Sequence, residues 1–215
     1  MASGEKPSAI LFDAGGTLVL QNPVRLSDVL SREIDPVAAH RAHYVAMAEF
    51  SDLLSSGGRV TFDWWLERYF SLLGVPEPHL VGSRIERGFG FWDHPLDGIG
   101  EALERLRAQG VRIAVVSNSD GSVRDSLAKA GLGDLIELVI DSQEVGFSKP
   151  SPEIFRVALE RLALEPSQVW HVGDSVFHDI NGARSASIAK AVLVDPFELG
   201  PADVVRVRSV AELKI

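Results

Sequence analysis

Residues 9–18 read AILFDAGGTL, a short apolar run that ends in a carboxylate, Asp13, and breaks at Gly15-Gly16. A run too short for a helix and halted by two glycines predicts a buried strand that turns sharply at its carboxyl end. The same pattern recurs down the chain. Residues 111–117 (VRIAVVS), 135–141 (LIELVID), 169–174 (VWHVGD) and 191–195 (AVLVD) are near-continuously apolar and rich in β-branched side chains. Such runs suit parallel strands covered on both faces rather than strands with one wet side.

Helical periodicity fills the intervals. Ile99, Leu103 and Leu106 stand at i, i+4, i+7, with Asp97 as the expected N-cap and Gly110 just past the end. Val123, Leu127 and Ala130 repeat that spacing before Gly131, and Pro152 opens a segment with Phe155, Leu159 and Leu162 on one face. Strands alternating with helices predict βαβ units: an α/β fold with a doubly wound, Rossmann-like parallel sheet. One stretch breaks the rhythm. Residues 22–92 hold no convincing buried strand, and 37–54 and 61–73 read as helices separated by Gly57-Gly58. The expected organisation is a core of residues 1–21 and 93–215 with a small helical domain, 22–92, inserted after the first strand. Tyr44, Phe50, Phe62, Trp64, Trp65, Tyr69, Phe70, Phe89, Phe91 and Trp92 concentrate there and are expected to form that domain's own core.

Composition narrows the function. The 215-residue chain is 46% hydrophobic and 24% charged, as expected for a globular protein rather than a disordered one. Its formal net charge of -9, with Arg and Lys scattered among acids, opposes nucleic-acid binding. With no Cys there is neither a disulfide framework nor thiolate chemistry. No apolar run is long enough to span a membrane, and residues 1–8 lack the apolar stretch of a signal peptide, so a cytoplasmic protein is expected. Nothing in the sequence sets an oligomeric state.

The ends of the expected strands carry the chemistry. Asp13 ends the first, Ser117 followed by Asn118 ends the second, Lys149 lies in the loop after the third, and Asp174 ends the fourth with Asp179 just beyond. In open α/β sheets ligands bind outside the carboxyl ends of the strands, where the strand order reverses. Each feature alone is common turn or cap chemistry. Their order and spacing together are more specific.

FDAGGTL at 12–18, VVSNS at 115–119, SKPSPEIF at 148–155 and HVGDSVFHDINGA at 171–183 resemble the motifs of the haloacid dehalogenase superfamily, in that family's order and at its distances. The resemblance spans essentially the whole chain. It implies a Rossmann-like core with a mobile helical cap, and a hydrolase acting on a small phosphorylated substrate. Asp13 would be the nucleophile, passing through an acyl phosphate. Mg²⁺ would be held by Asp13, Asp174 and the backbone carbonyl of Gly15. Lys149 would pair with the nucleophile and the substrate oxyanion. Ser117 and the backbone amide of Asn118 would bind the phosphoryl oxygens. Asp179 would hold Lys149 or act through a metal-bound water.

The sequence departs from that pattern at one position. Phosphatases of the family usually carry a second Asp two residues after the nucleophile, which protonates the leaving group and then activates water. Here the position is Gly15, and general acid–base help is worth about 10²–10⁴-fold. Three readings follow. The chain is a hydrolase whose leaving group needs no proton, such as an acyl or aryl phosphate, or whose proton comes from another group; His178, His40, His43 and His94 are the candidates. It is a catalytically weak or inactive protein with a binding or regulatory role. Or it attacks carbon, as the family's dehalogenases do, which also lack the second Asp. Retention of Gly173-Asp174 opposes dehalogenation. The absence of any Lys between Lys6 and Lys129 opposes the phosphonate-cleaving members, which need a cap lysine. Arg41, Arg59, Arg68 and Trp92 could contact substrate from the cap, though packing or a solvated face is the simpler role for each. If only the acid–base group is lacking, Gly15→Asp should raise phosphate-ester hydrolysis.

Overall fold

In the computed structural model, which describes residues 6–79 and 92–215, strand β1 (Ala9–Phe12) lies at the centre of a six-stranded sheet. The order is β5-β4-β1-β6-β7-β8, with β4 at Arg112–Ser117, β5 at Leu138–Asp141, β6 at Val169–Gly173, β7 at Lys190–Val194 and β8 at Arg206–Val207. All neighbours in it are parallel. The chain runs outward from β1 through β4 to β5, then crosses to β6 and runs outward the other way. The strand order therefore reverses between β1 and β6, the two strands that end at Asp13 and Asp174.

Alternation along the strands builds two cores. Ile10, Phe12, Ile113 and Val115 face one side with Leu103 and Leu106 of the helix Ile99–Ala108 and Leu127 of the helix Val123–Lys129. Ala9, Leu11, Ala114 and Val116 face the other, under Ile154, Phe155, Ala158 and Leu162 of the helix Pro152–Leu162. A sheet sealed on both faces explains why its strands read as unbroken apolar runs.

Val19–Leu20 (β2) and His94–Pro95 (β3) pair antiparallel, and between them the chain leaves the core and returns. The excursion contains helices α1 (Pro23–Leu30), α2 (Pro36–Ser55) and α3 (Phe62–Leu72). These form a small helical cap with its own core of Leu26, Ala42, Ala46, Phe50, Trp65, Tyr69 and Phe70. Two of the aromatics expected in that core are not buried in it, though Phe62 stacks on its Trp65. Phe62 is 49% exposed, and Tyr44 packs with the sheet side, because α2 turns that edge toward the core. Phe89 and Phe91 lie outside the described residues.

Boundaries shifted where local geometry competed with pattern. Residues 135–137 do not join β5: a 3₁₀ turn at Gly133–Leu135 delays pairing until the Glu137 amide donates to the Ile113 carbonyl. Asp97 is not the N-cap of the helix Ile99–Ala108. Gly98 is, at φ 70°, a left-handed conformation open to glycine, and no side chain caps the helix. No helix among the described residues is long and apolar enough to cross a membrane.

Candidate active site

Past Phe12 the ladder continues for one residue, the Asp13 amide donating to the Val172 carbonyl at 2.8 Å, and then the chain folds into a tight turn. The Ala14 carbonyl accepts from the amides of Leu18 and Val19, while Gly16 adopts φ 76°. On the neighbouring strand, Gly173 leads into Asp174 and a π-helical turn, Val176–Asn181, which brings Asp179 back beneath the strand end. A Cβ on Gly173 would stand 2.2 Å from the Asp179 carboxyl carbon, so glycine there is what lets the turn fold under.

Lys149 ties these ends together. Its ammonium donates to Asp13 Oδ1 at 2.5 Å and to Asp179 Oδ1 at 2.6 Å. The Asn118 side chain fixes its backbone, accepting from the Lys149 amide at 2.7 Å and donating to its carbonyl at 2.9 Å. Asp179 is also held by His171 Nε2 at 2.9 Å and by the Ser175 amide at 2.9 Å, so both its oxygens are occupied. Ser117 is buried at the end of β4, one step beyond the level of Asp13 in the β1–β4 register. Carboxylate oxygens of Asp13, Asp174 and Asp179 lie within 4.8 Å of one another.

Three buried carboxylates thus share one buried ammonium, and the charges do not balance. Burial, reinforced by Asp179 and Asp174 and opposed by Lys149, pushes Asp13 up to about 7. Burial and the nearby Asp179 likewise raise Asp174 well above the carboxylate range. Burial alone would raise Asp179 too, but Lys149 and His171 outweigh it and hold the group well below its usual value. Burial works against the Lys149 ammonium, yet Asp13 and Asp179 hold it firmly charged. The cluster as it stands lacks positive charge. Among the described residues, the Gly15 carbonyl beside it accepts no hydrogen bond.

The space beside Gly15, where the family pattern leads one to expect a second Asp, is filled. A Cβ on Gly15 would lie 2.9 Å from Trp92 Cζ3, so the indole occupies the space into which a side chain would grow. Of the four candidate histidines, one reaches the carboxylates: His43, whose Nε2 is 2.6 Å from Asp174 Oδ2. His178 instead bonds Ser175 Oγ at 3.1 Å and packs against Phe50, and burial lowers it to about 4. His40 packs against Tyr44 and Phe197, and His94 is exposed on β3. Among the cap arginines, Arg68 pairs with Glu49 and Arg41 lies over the Phe197 ring, while Arg59 is exposed. A cavity of about 220 Å³ lies not on the carboxylates but at the cap hinge, lined by Thr17, Gln21, His40, Tyr44, His94 and Arg208.

Comparisons with known proteins give the family. The family model of the haloacid dehalogenase-like hydrolases matches residues 7–187. The chain belongs to this family. It is 31% identical to the human haloacid dehalogenase-like hydrolase domain-containing protein 3 over 181 residues, 79% of this chain and 72% of that protein. It is 34% identical over 132 residues to the ribulose-1,5-bisphosphate 5-phosphatase of Halopiger xanaduensis, 58% of this chain and 54% of that one. Among solved structures, the HAD-type hydrolase YfnB of Bacillus subtilis, determined with magnesium bound, superposes with a TM-score of 0.71 at 18% identity, covering 97% of each chain.

Within this hydrolase the motif residues Asp13, Asn118, Lys149, Asp174 and Asp179 converge on one sheet edge. The sequence reading missed the layer around them: Gln21, Tyr44 and His171, and the particular placements of His43 and Trp92. His171 was visible as a polar residue inside an apolar strand, a position where a buried partner is expected. Gln21, Tyr44 and His43 had no such signal, because their partners lie across the cap–core boundary.

Proposed function

We propose that this hydrolase is a magnesium-dependent phosphatase of small molecules, working through a phosphorylated Asp13. The observation that carries it is the bridging of Asp13 and Asp179 by the single buried ammonium of Lys149, with Asp174 beside them. The excess of buried negative charge fits a divalent cation. The donors are all hard oxygens: Asp13, Asp174 and the backbone carbonyl of Gly15 would hold Mg²⁺. Asp179 stays outside that set because Lys149, His171 and the Ser175 amide occupy it. When bound, the ion supplies the charge neutralisation that an anion attacking an anion requires.

Asp13 then attacks phosphorus, and the bond to the leaving oxygen breaks as the Asp13–phosphoryl bond forms. Lys149, oriented through Asn118 and Asp179, neutralises the nucleophile and a transferring oxygen. Ser117 Oγ and the Asn118 amide bind the remaining oxygens. Water attacks the acyl phosphate at phosphorus, releasing inorganic phosphate and restoring the carboxylate. No side chain at Gly15 protonates the leaving group, so the favoured substrates are those whose leaving group departs as a stable anion, such as acyl and aryl phosphates. The relative named as a ribulose-1,5-bisphosphate phosphatase supports a small phosphorylated substrate. The insertion, residues 22–92, is the element that selects it: with Asp13 only 7% exposed, substrate must enter as the cap lifts.

One observation favours a second reading, a binding protein that does not turn its ligand over: Trp92 fills the place of the catalytic acid. Hydrolysis of p-nitrophenyl phosphate with and without Mg²⁺, beside Asp13→Asn, separates the two. Magnesium-dependent release lost in Asp13→Asn is the expected result. No release at any magnesium concentration would overturn the phosphatase reading.

A further inference from the structure

The chemistry above uses neither His43 nor Gln21, yet both are buried against the site. His43 sits on α2 and is fully enclosed, its ring met edge-on by Tyr44 at 5.0 Å, Trp65 at 5.4 Å and Trp92 at 5.5 Å. Its Nδ1 faces the Gln21 side-chain nitrogen at 3.3 Å and its Nε2 faces Asp174 Oδ2 at 2.6 Å. An amide nitrogen only donates, so Nδ1 is the acceptor. With Nδ1 accepting, the ring proton sits on Nε2 and is donated to Asp174. Gln21 thereby selects the tautomer that Asp174 needs.

This contact crosses the cap–core boundary at a place built for it. A Cβ on Gly16 would stand 2.1 Å from Asp174 Oδ2 and 2.2 Å from His43 Nε2, so the two side chains meet over a bare Cα. The same stretch of α2 makes two more bonds to the loops that follow β1 and β6. Tyr44 donates to the Gly16 carbonyl at 2.6 Å, and Ser51 Oγ lies 3.0 Å from Ser175 Oγ. No other side chain among the described residues bonds Asp174, and a carboxylate oxygen of Asp174 lies within 4.8 Å of one from Asp13 and one from Asp179.

We propose that His43 is a positioning residue for Asp174: it holds one carboxylate oxygen from the cap so that the other faces the metal, and thereby couples seating of α2 to cation binding. The inference rests on the reading of Asp174 as a metal ligand. A hydrogen-bonded partner behind a ligand sets its orientation, and loss of such a partner costs about 10–100-fold in metal affinity. By reciprocity, the cation must tighten the cap by the same factor by which the seated cap tightens the cation.

The test uses the full chain, stripped of metal, and Mn²⁺ as the probe, its free ion counted by electron paramagnetic resonance. His43→Leu, which fills the space without a donor, should bind Mn²⁺ about 10–100-fold more weakly than wild type. His43→Gln, which returns a donor at similar reach, should recover most of the loss, and Gln21→Leu should fall between them. Hydrogen exchange provides the second readout: Mn²⁺ should slow exchange along residues 36–55 in wild type and not in His43→Leu. Wild-type affinity in a folded His43→Leu, or equal weakness in the Leu and Gln variants, would overturn the proposal. Asp174→Asn keeps the two readings apart. If it leaves Mn²⁺ binding unchanged, the metal site itself has been misassigned and the role of His43 falls with it; if it abolishes binding while His43→Leu does not, only the role of His43 fails.

Discussion

Replacing Asp13 by Asn should make the metal-free protein more stable at pH 8 while removing its turnover. Asp13 is buried beside two other carboxylates and one ammonium, and its pKa stands at about 7 rather than 3.8. At about 1.36 kcal/mol per pH unit, that difference corresponds to about 4 kcal/mol held against folding once the group is ionised. The sign follows from proton binding. Below pH 3.8 Asp13 is protonated in both states and its contribution to stability is complete. Between 3.8 and about 7 the folded state keeps a proton that the unfolded chain has released, so stability falls as pH rises. Asn cannot ionise, yet its side-chain oxygen still accepts from Lys149. The advantage of Asp13→Asn should therefore grow by about 2 to 3 kcal/mol between pH 5 and pH 8. Interaction of Asp13 with the neighbouring carboxylates Asp179 and Asp174 broadens the transition without changing its direction. Urea denaturation of both proteins in chelator at the two pH values measures it. Mg²⁺ at about 100 times its Kd should then stabilise the wild type by about 2.7 kcal/mol and Asp13→Asn by much less. Parallel stability curves for the two proteins from pH 5 to 8 would refute the premise that this cluster is short of positive charge.

Gly15→Asp alone should not raise phosphate-ester hydrolysis, because its Cβ meets Trp92 at 2.9 Å; overpacking of that kind costs about 1–3 kcal/mol, seen as a lowered melting temperature. Pairing it with Trp92→Ala should relieve the contact and raise p-nitrophenyl phosphate turnover toward the 10²–10⁴-fold range of acid–base help; no gain in the folded double variant would mean that more than the acid is missing. Lys149→Met leaves Asp13 and Asp179 without their ammonium, and should cost about 3–5 kcal/mol in metal-free thermal unfolding and abolish turnover. Trp65→Ala, in the cap core and against His43, should cost about 3–5 kcal/mol by the same measure, and an effect under 1 kcal/mol would mean that the cap does not unfold with the core.

The reading of Gly15 changed most between sequence and structure. From sequence it is an absence, a carboxylate that is not there. In three dimensions the space beside its Cα is already taken by Trp92, the last residue of the insertion, which returns beside Asp13 because β2 and β3 pair. A single-residue restoration therefore looks sufficient on paper and is obstructed in the fold. Asp97 and Gly98 show the same limit locally: an Asp two residues before an apolar periodicity signals a cap, but a glycine able to reach φ 70° displaces it.

Near-continuous apolar strands, helical spacing between them and carboxylates at the strand ends were enough to determine the doubly wound sheet, the helical insertion and the convergence of Asp13, Lys149, Asp174 and Asp179. Those properties follow from local periodicity and from the rule that parallel strands present their carboxyl ends on one edge. The tertiary structure alone decided what surrounds that edge: His43 and Tyr44 reaching down from α2, Gln21 against the imidazole, and Trp92 against Gly15. Each of these joins segments far apart in the chain across a cap–core boundary. No periodicity encodes such contacts, because they depend on how the inserted helices settle onto the sheet.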